Sequence, residues 1–389
     1  MSLEKVKSIC RYIKRLSGRY KQPELFINLT YSCPLRCKYC YVNYSKDNDF
    51  TDEELFYLFE EGVFKLPYIK LVTFFGGEPL VKVDLIKAIL DKYYQQLVDK
   101  GIHIAVITSL SINKDKHFEM MKKYPLYETI ISFDNYAGKR VYANGKPFKV
   151  LEHIDLAELQ QYRRNLCFHT VIDNIDSIKD LQYLQTLYKD YGFLYSWCWN
   201  KTPTQSFAFK DEYLQVLQNI SQSDYKPLQY TKEVEAYLTH NQVGCGIGSE
   251  LFVSCNGILS PCSISHHNDK MLLMKDGKVN DEAFEIIEQL ETNVFNNEKC
   301  EVCGLKGFCN GGCLVERLMN RNENSVNPSL CQIMAELHTT YQAYFDSLSE
   351  DDIKQLNQSI VDNNLGIDGY CHDVHINMDM YDAFNIRRD

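Results

Sequence analysis

Three cysteines fall within eight residues of this chain, in the stretch Thr30-Tyr-Ser-Cys33-Pro-Leu-Arg-Cys37-Lys-Tyr-Cys40. Thiolates spaced so closely must come from one tight loop, and three is one fewer than a cubane cluster or a tetrahedral zinc requires. Two chemistries fit that count. Either a distant fourth ligand closes a structural zinc site, or one iron of a cluster stays open to bind and activate a second molecule. A second group of cysteines stands at 245, 255, 262, 300, 303, 309, 313 and 331. Together the groups hold eleven of the 15 cysteines. No charged-then-apolar leader and no run of about 18 apolar residues is present, so a cytoplasmic protein with no membrane association is expected. A reducing cytosol disfavours disulfides and favours metal ligation. Cys10, Cys167, Cys198 and Cys371 are scattered and read as small buried hydrophobes. Cys371-His372 with His375 reads as surface rather than as a metal site.

A further chemical signal is Phe74-Phe-Gly76-Gly77-Glu78-Pro79. Two glycines at the end of a strand let a ligand approach the backbone, and a carboxylate beside free N–H and C=O groups suits an ammonium.

The elements that must position these residues are legible from residue 25 to 200. Apolar, β-rich runs at Leu25–Thr30, Ile69–Phe75, Ile102–Ser109, Thr129–Asp134, Leu166–Ile172 and Phe193–Trp199 alternate with helical spacing near 52–64, 83–99, 114–123, 148–163 and 177–190. Thr51-Asp-Glu-Glu54 has the spacing of a capping box. Repeated β-then-α units imply parallel strands joined by right-handed crossovers. Six units are too few for a closed eightfold barrel, so the expectation is an α/β fold with a partial (βα)6 TIM-like barrel. Reactive groups in such folds sit at the carboxyl ends of the strands, where both motifs fall. Residues 1–24 form an N-terminal helical segment, 201–240 a polar connector, and 241–335 a cysteine-rich domain in which metal clusters replace a hydrophobic core. Within that domain a helix is expected near 281–291. From 336 to 389 a helical extension, beginning near 332, leads to an irregular tail.

The combination Cys-x3-Cys-x2-Cys after the first strand and Gly-Gly-Glu-Pro after the second resembles the radical S-adenosylmethionine (SAM) superfamily over roughly 25–200. The resemblance implies a [4Fe–4S] cluster on Cys33, Cys37 and Cys40, with SAM chelating the fourth iron. It further implies that Gly76, Gly77 and Glu78 hold the methionyl amine and that the backbone of Tyr39 lies near the adenine. Ser132-Phe-Asp134 looks like the family's Ser-x-Asp segment at the ribose and methionyl end, and Arg140 matches an arginine downstream of it. Asn135 stands where glycine is usual, and Thr108-Ser109 where Thr-Asn-Gly is frequent.

The second group, Cys245-x11-Gly257-x4-Cys262, then Cys300-x2-Cys303-x5-Cys309-x3-Cys313 and Cys331, resembles the SPASM domain of peptide- and protein-maturing radical SAM enzymes. By that resemblance the chain carries two auxiliary [4Fe–4S] clusters, one on Cys245, Cys262 and Cys313 and one on Cys300, Cys303, Cys309 and Cys331. Two cubanes take eight thiolates. Cys255 is thus either a displaced fourth ligand or a bystander beside a cluster with an open iron. A zinc ribbon on Cys300, Cys303, Cys309 and Cys313 is the bland alternative.

The implied activity is reductive SAM cleavage, with the 5′-deoxyadenosyl radical modifying a peptide. The expected partners are a peptide or protein substrate, a separate leader-binding protein, and a low-potential electron donor such as flavodoxin or ferredoxin. Formylglycine formation on a sulfatase is the competing reading, weakened by Ser263 where that pattern has a catalytic aspartate. A non-catalytic binding partner is the third, against which all cluster ligands and Glu78 are present. The net charge of −10 and the lack of a basic stretch argue against nucleic acid. No residue that handles substrate protons is identified by spacing.

Overall fold

The structure is a computed structural model. It describes residues 2–16, 24–40, 42, 49–199, 211–213, 215–216, 250–265, 269–283, 285, 298–305, 309 and scattered positions between 331 and 351. The chain divides into two compact units. The described residues of Met1–Ser132, Gly138–Asp155 and Gly246–Thr292 make the first, and those of Phe133–Ala137, Leu156–Cys245 and Asn293–Asp389 the second. The connector at 201–240, the helix near 281–291 and the C-terminal tail lie mostly or wholly outside the described residues, while the described positions from 331 to 346 are helical.

The first unit is an α/β sheet with helices covering it. Strand β1 (Glu24–Thr30) is buried at all seven positions, as a parallel strand covered on both faces must be. It pairs in parallel with β2 (Leu71–Gly76), which leads through β3 (His103–Thr108) to β4 (Tyr127–Ser132), all parallel. Helices α1 (Leu3–Leu16), α2 (Asp52–Glu61), α3 (Val83–Lys100) and α4 (Lys114–Lys123) belong to the same unit. The capping box of α2 is formed: Thr51 Oγ1 accepts from the Glu54 amide and the Glu54 carboxylate from the Thr51 amide. On the helix side Phe74 meets Phe59 of α2 at 6.2 Å, and Phe59 stacks on Tyr93 of α3 at 5.9 Å. On the other face Phe26, Phe75 and Phe252 meet edge to face at 6.5 and 6.4 Å.

Phe252 comes from a strand inside the stretch read as the cysteine-rich domain, where spacing indicates no strand. Strand β7 (Glu250–Ser254) pairs in parallel with β1 from Glu24↔Glu250 to Asn28↔Ser254. The antiparallel strands β8 (Leu259–Ser260), β9 (Met274–Lys275) and β10 (Lys278–Val279) continue the sheet outward, giving the order β10-β9-β8-β7-β1-β2-β3-β4. Leu251, Phe252 and Val253 are fully buried, so an apolar core contributes to holding this part.

In the second unit β5 (Leu166–Ile172) and β6 (Leu194–Trp199) pair in parallel around the crossover helix α6 (Ile175–Tyr191). One expected element is replaced. The single helix near 148–163 is a series of short turns, Val150–Glu152, α5 (Leu156–Leu159) and Gln160–Asn165. Its hydrogen-bond ladder is interrupted at His153, whose carbonyl accepts from Lys114 Nζ at 2.5 Å and whose ring stacks on Phe148 at 4.8 Å.

Candidate functional site

The cysteine loop and the glycine turn are fastened to each other by backbone hydrogen bonds. Gly77 N donates to the Thr30 carbonyl at 2.7 Å and Glu78 N to the Ser32 carbonyl at 2.9 Å. No side chain fits between them. A Cβ at Gly76 would stand 2.4 Å from the Thr30 oxygen, and Gly76 also has φ +146°, a region closed to other residues. A Cβ at Gly77 would stand 2.4 Å from the Ser32 oxygen. Thr30 braces the loop entrance, donating its hydroxyl to Asp49 at 2.6 Å and accepting from the Ser32 amide at 3.0 Å.

The far side of the loop is fastened to residues about a hundred positions away. Arg36 N donates to the Val141 carbonyl, Lys38 N to the Lys139 carbonyl, and Ala143 N to the Pro34 carbonyl. This ladder brings Arg140 to the cysteines. Its Nη1 lies 3.7 Å from Cys37 Sγ, its Nη2 donates to the Tyr39 hydroxyl, and its guanidinium carbon sits 5.6 Å from the Tyr39 ring centre. Lys139 Nζ stands 5.0 Å from the same ring. Cys33 is half-buried, and its thiol is pushed up to about 12, first by burial and then by the charges of Glu78, Cys37 and Cys40. An iron centre would offset that cost by binding the thiolate directly. Among the described residues no three His, Cys, Asp or Glu side chains close around a single point.

Glu78 is buried at the centre of the turn. Its carboxylate accepts from the Thr108 hydroxyl at 2.6 Å, the Ser109 amide at 2.9 Å, the Ser109 hydroxyl at 2.5 Å and the Leu80 amide at 3.1 Å. Four donors fill the lone-pair sites of a carboxylate. Glu78 thus clamps the ends of β2 and β3 together, and Thr108-Ser109, which depart from the usual pattern, are the residues it grips.

Ser132 ends β4 in the first unit, while Asp134 is buried in the second. Asp180, which spacing did not single out, organises the loop after Asp134. Its carboxylate accepts from the amides of Asn135, Tyr136 and Ala137 at 2.9, 2.7 and 3.2 Å. Burial raises its pKa, with the charge of Asp134 adding to the effect. A fully buried acid between Ile178 and Leu181 on α6 was the available signal.

Of the second cysteine group, Cys245 and Cys313 lie outside the described residues. Cys255 and Cys262 are at opposite ends of the β7–β8 hairpin. The register pairs Phe252 with Ser260 and Val253 with Leu259, which carries Cys262 to the level of Glu250. Ser263 N donating to Glu250 Oε1 at 3.3 Å agrees. Cys255 lies five residues further along, roughly 16 Å at the rise of a β-strand. There it is fully buried, its amide bonded to the Asn28 carbonyl and its thiol raised to about 12 by burial. Cys303 N donates to the Cys300 carbonyl at 3.2 Å, and the Cys331 thiol is raised first by burial and then by the charge of Cys303. Cys309 N donates to the Leu305 carbonyl at 2.8 Å. Cys10 is buried and free, as read from its isolation. Cys167 is buried too, but it is disulfide-bonded, which corrects its reading as an inert small hydrophobe. Cys198 is half-buried beside His169, a placement that spacing missed.

Comparison with known proteins places a class on this geometry. Residues 27–182 match the Radical SAM superfamily, so this part of the chain is a radical SAM domain. The chain is 29% identical over 168 residues to MJ0907, an uncharacterized protein of Methanocaldococcus jannaschii, covering 42% of this chain and 57% of that protein. It is 25% identical over 182 residues to the radical SAM cyclopropyl synthase TigE of Paramaledivibacter caminithermalis, covering 42% of this chain and 38% of that one. The chain thus spans a little over half the length of the first curated relatives it matches. In fold it is similar to anSMEcpe with bound AdoMet (TM-score 0.64, 17% identity, 86% of this chain and 98% of that one). It is also similar to Streptococcus suis SuiB bound to S-adenosylmethionine (TM-score 0.58, 16% identity, 83% and 80%). No helix among the described residues is long and apolar enough to cross a membrane.

Proposed function

We propose that this chain is a radical SAM enzyme that cleaves SAM reductively and modifies a peptide. The observation that carries the reading is the double fastening of the Cys33–Cys40 loop, to Gly77 and Glu78 on one side and to Lys139–Ala143 on the other. Cys33, Cys37 and Cys40 would hold a [4Fe–4S] cluster, and the Gly76-Gly77 backbone, which admits no side chain, would receive the methionyl end of SAM. When bound, these groups supply a 5′-deoxyadenosyl radical that takes hydrogen from a substrate carbon. The chain's own residues do the positioning. Glu78 acts through the turn it clamps, and Arg140 and Lys139 bring positive charge to the loop that carries the anionic thiolates. Tyr39 is held against Arg140 at the loop's edge. Ser132 and Asp134 are retained as candidate contacts to the ribose and methionyl end.

The SPASM-like spacing supports two auxiliary clusters, the second on Cys300, Cys303, Cys309 and Cys331. For the first we assign Cys245, Cys262 and Cys313 and leave Cys255 out, because the hairpin sets it too far from Cys262 to share a cubane. A peptide substrate is supported by the spacing and by the fold likeness to SuiB, which is also described bound to its precursor peptide SuiA (TM-score 0.53). The proposed electron source is a low-potential flavodoxin or ferredoxin.

Anaerobic reconstitution followed by iron and sulfide counts and a dithionite-driven SAM-cleavage assay tests the reading. It expects about 12 iron per chain, at four per cubane, together with 5′-deoxyadenosine. Stoichiometric zinc, or no cleavage by iron-loaded protein, would overturn it.

A further inference from the structure

The second unit carries a row of polar side chains that the radical reading does not use. Pairing of β5 with β6 sets His169 opposite Ser196 and Val171 opposite Cys198. His169 Nδ1 stands 2.8 Å from Ser196 Oγ, and Nε2 stands 3.3 Å from Cys198 Sγ. Strand alternation separates these residues from Phe168, Thr170 and Ile172, which are buried. Phe168 meets Phe133 at 5.8 Å, and Phe133 stacks on Tyr183 of α6 at 6.0 Å. The polar row therefore occupies the face turned away from α6, and His169, Ser196 and Cys198 are half-buried rather than sealed.

A neutral imidazole offers one N–H donor and one acceptor nitrogen. If Nδ1–H donates to Ser196 Oγ, then Nε2 accepts from the Cys198 thiol. That is a thiol aimed at a base which a third group orients, the arrangement that activates a nucleophile or proton carrier. Cys198 lies near the carboxyl end of β6, the end at which this fold class places reactive groups.

We propose that Cys198, His169 and Ser196 form a thiol–imidazole acid–base site that takes the proton of an O–H, N–H or S–H group on the substrate. That the substrate is a peptide rests on the function proposed above. The Cys198 proton passes to His169 Nε2, leaving a thiolate beside an imidazolium with no change in net charge. The thiolate then accepts the substrate's proton, so the site holds one proton more and the substrate group one fewer. Ser196 is the positioning residue, fixing the ring so that Nε2 faces the sulfur.

The test is iodoacetamide labelling of the reconstituted full chain under anaerobic conditions from pH 5 to 10, quantified at Cys198 by peptide mass spectrometry. The expected midpoint for wild type lies below the value of about 8.5 for an ordinary thiol. His169→Gln should return it to about 8.5 or higher and slow labelling at pH 7 by about tenfold per unit moved. Ser196→Ala, which keeps both members of the pair, should shift it less in the same direction, and it serves if His169→Gln does not fold. A wild-type midpoint at or above about 8.5 that neither substitution moves would overturn the proposal, as would labelling of Cys198 only in unfolded protein. SAM cleavage by the same preparation is read separately. Its failure would strike the radical reading and leave the thiol titration standing.

Discussion

A single methyl group at residue 77 measures how closely the cysteine loop must sit. In Gly77→Ala the new Cβ would lie 2.4 Å from the Ser32 oxygen, so the loop entrance has to move. The expected result is loss of about four of the roughly 12 iron per chain, with the others kept. SAM cleavage should fall by about a hundredfold or more, the usual cost of an ångström-scale misplacement. Iron counts with an unchanged far-ultraviolet spectrum check it, and a variant with full iron and full cleavage would contradict it. Glu78 has a structural task beside the one its turn suggests. An acid in a Gly-Gly-Glu turn suggests a partner for an ammonium, and its carboxylate also accepts from Thr108, Ser109 and Leu80.

At the scale of elements, α4 is tied to β4 by a buried histidine. His117 bonds Tyr127 Oη and Thr129 Oγ1, both at 2.8 Å, and burial lowers its pKa to about 3 from the ordinary 6.5. Between those values the unfolded chain binds a proton that folded His117 refuses. Stability is therefore present in full above 6.5 and falls as pH drops toward 3, by about 1.4 kcal/mol per unit. In urea unfolding, wild type should lose about 2 kcal/mol from this group between pH 7 and pH 5. His117→Gln, which cannot titrate, should show a correspondingly smaller loss. Equal losses in the two proteins would rule out His117 as the source.

Across the whole molecule the proposed clusters depend on where the eleven clustered cysteines are placed. The hairpin register separates Cys255 from Cys262 and buries Cys255 beside Asn28 in the strand core. Cys255→Ala should accordingly keep the wild-type iron content and the auxiliary-cluster EPR signals, whereas Cys262→Ala should lose iron toward about eight per chain. Iron loss in Cys255→Ala equal to that in Cys262→Ala would restore Cys255 to the ligand set.

Local pattern was readable from the sequence alone. The spacing of Cys33, Cys37 and Cys40, the glycines at 76 and 77, the Thr51 capping box and the alternation of strand and helix are each written within a few consecutive residues, because turns, caps and periodicity obey short-range sterics. What the fold decided depends on pairings between distant segments. Residues 139–143 reach the cysteine loop across a separation of 103 positions between Cys37 and Arg140. Strand β7 joins β1 although more than 200 residues lie between them. The helix expected near 148–163 is broken at His153, whose carbonyl accepts from the distant Lys114. His169, Ser196 and Cys198 look like ordinary strand residues until β5 and β6 are placed side by side. Register between strands is fixed by which faces are buried against which neighbours, a property of the packed molecule that no short window of sequence contains. The cysteines' spacing was therefore local, and their neighbours were tertiary.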